Sequence, residues 1–302
     1  MSISAKSSIS ETMAPVKPWA PIGFALLCLC WGATWLPLKH GVAQVPPLLF
    51  VASRFLAGGL VLWLAGGCPR PPGPRLLAPG AVLMIAANYG LMAWGAARVP
   101  SGLAATVNLA TVPLAVLIFA GRRPRPAQVA ALILGAAGLA LLSLTSDPRL
   151  GAAPAGLGAI ALGAACYGLG TVRMKALPAT LSPVGMAAWH SLVGGALLLS
   201  LSALLEPWRA DTWDRFLAPA ALLNWALLVL LSTIVGFTLY LALLRQWSAT
   251  AVAGYAYVCP VIALALGGAI DGERPAPTQW AASLILIGAA ALALISKPKE
   301  TP

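Results

Sequence analysis

Ten apolar runs divide this chain: residues 19–38, 48–67, 76–97, 102–119, 127–144, 155–172, 184–205, 218–244, 249–270 and 278–295. Each is about 18 residues or longer, close to the roughly 20 that cross the hydrocarbon core of a bilayer as a helix. Composition supports the same reading. Hydrophobic residues make up 60% of the chain and charged residues 9%, against about 25% charged in soluble proteins. The length of 302 residues would suit two soluble domains, but these proportions exclude them. Proline, glycine and charge punctuate the junctions, as in Gly66-Gly67-Cys68-Pro69-Arg70 and Gly121-Arg122-Arg123-Pro124-Arg125. The only sizeable connection is 206–217, which contains tryptophan and charge. Residues 1–18 are polar, rich in serine and expected to be disordered. No Ala-x-Ala pattern follows the first run, so that run reads as a retained helix.

The chain also repeats itself. Adding 136 to Cys30, Trp31, Gly32, Lys39, Pro47 and Arg54 gives Cys166, Tyr167, Gly168, Lys175, Pro183 and His190. Gly58-Gly59 maps the same way onto Gly194-Gly195. Later the offset becomes 147, carrying Arg98, Ser101, Ala104, Pro113, Leu117 and Gly121 onto Arg245, Ser248, Ala251, Pro260, Leu264 and Gly268. At 151, Pro124, Pro126 and Gln128 map onto Pro275, Pro277 and Gln279. Each half therefore holds five helices, and an odd number inserts the second copy upside down. The expected fold class is an all-α integral membrane protein with ten transmembrane helices in two inverted five-helix repeats. The halves run over 19–145 and 154–296, flanked by a cytoplasmic N-terminus at 1–18 and a cytoplasmic tail at 297–302.

Charge tests the orientation. With the N-terminus in the cytoplasm, the inside segments carry 12 Lys and Arg: Lys6, Lys17, Arg70, Arg75, Arg122, Arg123, Arg125, Arg173, Lys175, Arg245, Lys297 and Lys299. The outside segments carry 6: Lys39, Arg98, Arg149, Arg209, Arg215 and Arg274. With Arg54 inside a run these account for all 19. The bias places both termini in the cytoplasm. It also explains the net charge of +11 without nucleic acid, because the basic residues form no single patch. The five cysteines lie in or beside apolar runs, lack metal-ligand spacing and read as small apolar side chains.

These patterns resemble the EamA-type drug/metabolite transporter superfamily over residues 19–296. The residues that carry the resemblance are Trp31-Gly32-Ala33-Thr34-Trp35, Arg54-Phe55-Leu56-Ala57-Gly58, Arg98-Val99-Pro100-Ser101-Gly102-Leu103-Ala104, Pro113 and Pro260. The resemblance implies a secondary transporter in a bacterial plasma (inner) membrane. Similar members export amino acids or other small metabolites, and the YddG type, which exports aromatic amino acids, is one such group. The second half departs from the pattern at Tyr167, His190 and Trp247.

Polar and aromatic residues near mid-membrane are the candidates for solute contact, because polar groups are costly in hydrocarbon and face protein or a water-filled cavity. They are Trp31 and its repeat mate Tyr167, Asn88, Asn108 and its mate Tyr255, with hydroxyls from Thr111, Tyr240 and Ser232. Such a cavity would suit an uncharged or zwitterionic solute with an apolar or flat side group. The competing reading is that these groups only satisfy one another between helices. Trp35, one turn beyond Trp31, reads as a vestibule residue or an interfacial anchor. Arg54 can contact a solute carboxylate, snorkel outward or tie its helix to carbonyls. His190 can relay protons or act as a structural hydrogen-bonder. Pro113 and Pro260 free the carbonyls of Leu109 and Ala256, bending their helices as hinges or as fixed kinks. Gly135-Ala136-Ala137-Gly138 and Gly288-Ala289-Ala290-Ala291 suit closely packed scaffold helices.

No Asp or Glu falls inside any apolar run. A carboxylate is the usual coupling group in a membrane, so weak or no ion coupling is expected. No Gly-x-x-x-x-Gly-Lys-Ser/Thr loop is present, which argues against ATP. An intramembrane enzyme would need clustered His, Asp, Glu or an activated Ser at depth. His40 and His190 are far apart and no Gly-x-Ser-x-Gly occurs, so no enzyme is expected. A structural subunit would not need repeated polar and aromatic pairs. Among transporters, a carrier of another neutral metabolite, drug or sugar derivative is the alternative to an amino-acid exporter. The expected partners are a small-molecule solute and the lipid bilayer, with no nucleic acid, nucleotide, cofactor or metal. Monomer and homodimer both stay open.

Overall fold

The computed structural model describes residues 17–96, 98, 101–121, 125–144, 154–178, 180–270, 272 and 276–295. Most of the N-terminal segment and all of the C-terminal tail lie outside them. Regular structure in the described residues is entirely helical. In chain order the helices are α1 Ala20–Val42, α2 Pro47–Ala65, α3 Pro74–Gly95, α4 Ser101–Phe119, α5 Pro126–Leu144, α6 Pro154–Ala176, α7 Pro183–Leu205, α8 Thr212–Leu217, α9 Pro219–Gln246, α10 Ala249–Ile270 and α11 Pro277–Ile295. Among the described residues seven (α1, α2, α3, α6, α7, α9 and α10) are long and apolar enough to cross a bilayer. Shorter apolar stretches lie in α4, α5 and α11. Among the described residues, each apolar run of the sequence falls mostly within one of these helices. The outward faces are apolar too: Ile22 is 74% exposed and Leu204 80%, which lipid would cover and water would penalise.

Local chemistry sets the ends. Seven helices begin on a proline: Pro47, Pro74, Pro126, Pro154, Pro183, Pro219 and Pro277. Proline there has the right φ and lacks an amide that would go unpaired in any case. Ser182 and Ser248 cap α7 and α10, accepting hydrogen bonds from the amides of Gly185 at 3.1 Å and Ala251 at 3.2 Å. Gly121 after α4 and Gly272 after α10 have φ of +65° and +67°, the left-handed conformation that ends helices. The sequence alignment paired Gly121 with Gly268. The structure gives the helix-ending role to Gly272, at the 151 offset, so the four-residue shift (151 less 147) lies before that glycine.

Connection 206–217 is also more ordered than a loop. It holds α8, where the Thr212 hydroxyl accepts from the Arg209 amide at 2.8 Å and Asp211 pairs with Arg215 at 2.6 Å. Glu206 ends α7 and reaches α2, where its carboxylate accepts from the amides of Leu48 at 2.7 Å and Leu49 at 3.0 Å. Those amides have no partner within their own helix.

Packing recurs between the halves. The most extensive contacts are α3 against α6 and α2 against α7, followed by α5 against α11. The pair α4–α6 has its equivalent in α10–α1, α3–α6 in α9–α1, and α3–α7 in α9–α2. The repeated glycines make these approaches possible. A Cβ on Gly59 would sit 2.9 Å from the Leu192 amide nitrogen, and one on Gly195 would sit 3.1 Å from that of Leu56. Likewise a Cβ on Gly32 would meet Ile262 of α10 at 2.6 Å, and one on Gly168 would meet Ala115 of α4 at 2.6 Å. In the α5–α11 pair, Gly138 faces Leu286, whereas a Cβ on Gly288 would meet open space. The small-residue stripe of α11 therefore does not make its close approach through that glycine.

Two segments depart from α-helical winding. Residues Ala78–Ala87 of α3 and Leu228–Phe237 of α9 are π-helical, each ten residues long. Their starts and ends differ by 150 in both cases. π-helical turns are rare and concentrate at functional sites.

Candidate functional site

A cavity of about 100 Å³ opens between the halves. Its aromatic lining is Trp31 and Trp35 from α1, Tyr89 from α3, Tyr167 from α6 and Tyr255 from α10. Its polar lining is Thr34, Arg54, Asn88, Asn108 and Ser232. Of the sequence candidates, the structure thus brings together Trp31, Arg54, Asn88, Asn108, Tyr167 and Tyr255. Trp35 joins them.

Trp31 organises the floor of the cavity. Its ring stacks on Tyr240 with centroids 5.2 Å apart and meets Tyr255 edge-on at 4.6 Å. Tyr240 in turn contacts Tyr167 at 5.8 Å and Tyr255 at 5.9 Å. Trp31 Nε1 donates to the Ser232 carbonyl at 3.2 Å, within the π-helical segment of α9. The four rings form a continuous aromatic layer. On the far side of it two more cavities, of about 370 and 230 Å³, share Lys175. One is lined by Val172 and Ser248, the other by Leu241 and Arg245. The order along α9 places the layer between the central cavity and the cavity at Arg245: Ser232 lines the central cavity, Tyr240 lies two turns further along, and Leu241 and Arg245 line the end cavity.

The polar groups of the central cavity are incompletely paired. Arg54 is 2% exposed. Its Nη1 donates to Ser232 Oγ at 2.8 Å and Thr233 Oγ1 at 3.3 Å, and its guanidinium carbon lies 4.2 Å from the Phe55 ring centroid and 5.2 Å from that of Tyr89. It neither snorkels outward nor ties α2 to backbone carbonyls. Among the described residues Arg54 Nε has no hydrogen-bond partner, and neither does Asn88 Oδ1. Asn108 Nδ2 donates to the Met92 thioether at 3.3 Å, a weak acceptor.

Other candidates lie elsewhere. Tyr240 is fully buried beneath Trp31 and shares a 2.6 Å hydrogen bond with Thr171 Oγ1, so it supports the floor and does not line the cavity. Thr111 does not line it either, because its hydroxyl turns back on its own helix, donating to the Val107 carbonyl at 2.6 Å. His190 is buried against α3, with Nε2 3.0 Å from the Leu76 carbonyl and its ring beside Gly80 and Phe237. Pro113 and Pro260 each follow a cavity-lining residue, Val112 and Cys259. Tyr89 and Met92 were not foreseen. Met92, four residues from Asn88 and therefore on one α-helical face with it, carried a legible signal. Among the described residues no group of His, Cys, Asp and Glu is arranged to hold a metal ion.

The EamA-like transporter family profile matches residues 18–144 and 154–295. The chain belongs to the EamA-like transporter family. It is therefore a membrane transporter, and its apolar helices are the spans that such a protein needs. Among its relatives is the uncharacterized inner membrane transporter YedA of Escherichia coli strain K12, 31% identical over 90% of this transporter and 89% of the relative. The uncharacterized transporter YvbV of Bacillus subtilis strain 168 is 30% identical, with 87% of each chain covered. A probable amino-acid metabolite efflux pump of Salmonella typhimurium is 26% identical over 87% of this transporter and 90% of the relative. One solved crystal structure shares the fold with a TM-score of 0.75 at 23% identity, covering 91% of the transporter and 96% of that chain.

Proposed function

We propose that this transporter exports small neutral or zwitterionic metabolites, foremost amino acids with apolar or aromatic side chains, across a bacterial inner membrane. The observation that carries the reading is the central cavity. Flat aromatic walls from Trp31, Tyr167 and Tyr255 adjoin the polar heads of Asn88, Asn108 and Arg54, and two of those heads have atoms without partners among the described residues. Buried polar atoms ordinarily find partners. A solute offering an apolar side group at one end and hydrogen-bonding groups at the other fits both parts. The relative named as an amino-acid metabolite efflux pump supports this class, and the relative named as an inner membrane transporter supports the location.

The proposed mechanism is alternating access by two inverted five-helix repeats, 19–145 and 154–296. The pairwise repetition of helix contacts and of the two π-helical segments supports it. So does the charge bias, which puts both termini in the cytoplasm. In that orientation the aromatic layer separates the central cavity from the cytoplasmic-side cavities at Lys175. A volume near 100 Å³ is below the roughly 300 Å³ at which solute sites begin. Loading therefore requires the halves to rock, with α4 and α10 flexing at Pro113 and Pro260. The spans carry no carboxylate in the described residues, and exchange is proposed to need no proton or sodium gradient.

The test is counterflow of labelled tryptophan, phenylalanine, threonine, alanine and glutamate by purified protein in liposomes, with no pH or sodium gradient. Saturable exchange of the neutral or aromatic members is expected, with glutamate excluded. Folded protein that exchanges none of them overturns the amino-acid reading.

A further inference from the structure

We infer that Arg54 is the carboxylate-binding group of the solute site, so that the transported class carries a carboxylate beside its apolar group. The inference rests on the central cavity being the solute site. A guanidinium buried to 2% exposure carries a full charge that hydrocarbon and neutral protein groups do not balance. Its partners are two neutral hydroxyls and two ring faces. Ring faces attract a cation but do not neutralise it. None of the three described acids bonds it: Glu206 is held on the α2 amides, Asp211 is paired with Arg215, and Asp214 lies on α8.

The guanidinium is held in place yet not saturated. Ser232 and Thr233 fix Nη1, while Nε has no partner. Guanidinium donors in a fixed fork match a carboxylate in geometry and charge. Across the same cavity Asn88 Oδ1 is an acceptor without a partner, 6% exposed as a residue, and can take an N–H from the solute. Trp31 and Tyr255 then face its side group. The cation, the unpartnered Asn88 acceptor and the flat walls together suit a solute with a carboxylate, an amino group and an apolar side chain. His190, the repeat mate of Arg54, is engaged by the Leu76 carbonyl away from the cavity, so only one half supplies a cation at this depth.

The experiment is thermal stabilisation of the full-length protein in detergent by L-phenylalanine, 3-phenylpropanoate, L-phenylalaninamide, phenethylamine and inorganic phosphate. The two carboxylates are expected to stabilise, and the amide, the amine and phosphate are not. In Arg54→Gln the carboxylate affinity should fall by roughly 10–150-fold, the loss of a charged hydrogen bond. Arg54→Lys, which keeps charge without the fork, should recover part of it. Equal stabilisation by acid and amide overturns the inference, and so does phosphate acting as strongly, or no carboxylate binding at all. If Arg54→Gln does not fold, the wild-type preference for acid over amide still decides. Exchange of L-phenylalaninamide in liposomes as fast as L-phenylalanine would remove the role of Arg54 and leave the carrier standing. Carboxylate binding lost in Arg54→Gln and partly recovered in Arg54→Lys, without exchange of any solute, would keep the anchor and overturn the proposed transport of amino acids.

Discussion

Replacing Trp31 tests the aromatic layer as part of the transport cycle. The indole makes two ring contacts, with Tyr240 and Tyr255, and one hydrogen bond to the Ser232 carbonyl. At roughly 0.5–1.5 kcal/mol for each ring pair and for the hydrogen bond, Trp31→Ala removes about 1.5–4.5 kcal/mol from the closed layer. Since each 1.4 kcal/mol is a factor of ten, closure weakens by roughly ten- to a thousandfold. Trp31→Phe keeps most of the ring contact and loses the hydrogen bond, about 1 kcal/mol. The assay is counterflow beside thermal unfolding in detergent. Trp31→Ala should exchange at under roughly a tenth of the wild-type rate, because the layer both seals one side and forms the solute wall. Trp31→Phe should fall between the two, with a nearly unchanged unfolding temperature. Exchange by Trp31→Ala within twofold of wild type would refute the reasoning, since the ring would then neither seal nor contact solute.

Other perturbations separate scaffold from site. Glu206→Ala leaves the Leu48 and Leu49 amides without their acceptor and should cost about 2–4 kcal/mol, read as a lowered unfolding temperature. Glu206→Gln, which keeps one acceptor, should cost less. Gly195→Val forces side-chain bulk into the α2–α7 contact, where a Cβ alone would lie 3.1 Å from the Leu56 amide nitrogen. It should reduce the yield of folded protein sharply, and normal yield would mean that the helices can separate there at little cost. Counterflow measured with proton and sodium gradients collapsed should equal that with them present, and a strict requirement for either gradient would show coupling.

Much of the scaffold was legible because its chemistry is local. Proline at helix starts and glycine after helix ends are backbone constraints that a reader can find one residue at a time. The pairing of Trp31 with Tyr167, and of Gly58-Gly59 with Gly194-Gly195, came from repetition alone, and depth along a helix then placed Trp31, Asn88 and Asn108 at one level. The π-helical segments were not legible. Residues 228–237 read Leu-Val-Leu-Leu-Ser-Thr-Ile-Val-Gly-Phe, without proline or charge, and widened winding there depends on which helices pack against it. The errors at Thr111 and Tyr240 share one cause. Depth along a helix does not give the direction of a side chain, because a threonine hydroxyl can bond the carbonyl four residues back, and one aromatic ring can lie behind another. α8 went unseen because its six residues are too few for a periodic signal.

The two halves share a frame and differ in what they carry. Equivalent glycines hold equivalent crossings, and the corresponding helices α3 and α9 each carry a ten-residue π-helical segment. Yet Trp31 corresponds to Tyr167, Arg54 corresponds to His190, and Asn108 corresponds to Tyr255. A rocking motion needs only that the frame be similar in both halves, since each must be able to adopt the packing of the other. A solute with two unlike ends needs the opposite, a site whose cation and acceptor are not duplicated. If His190→Arg placed a second guanidinium in the cavity, a zwitterion would meet two cations and one fixed acceptor. In the structure position 190 turns instead onto the Leu76 carbonyl, where Gly80 leaves room for the imidazole ring. Symmetry in the backbone contacts and asymmetry in the polar groups are therefore two separate requirements on the same repeat.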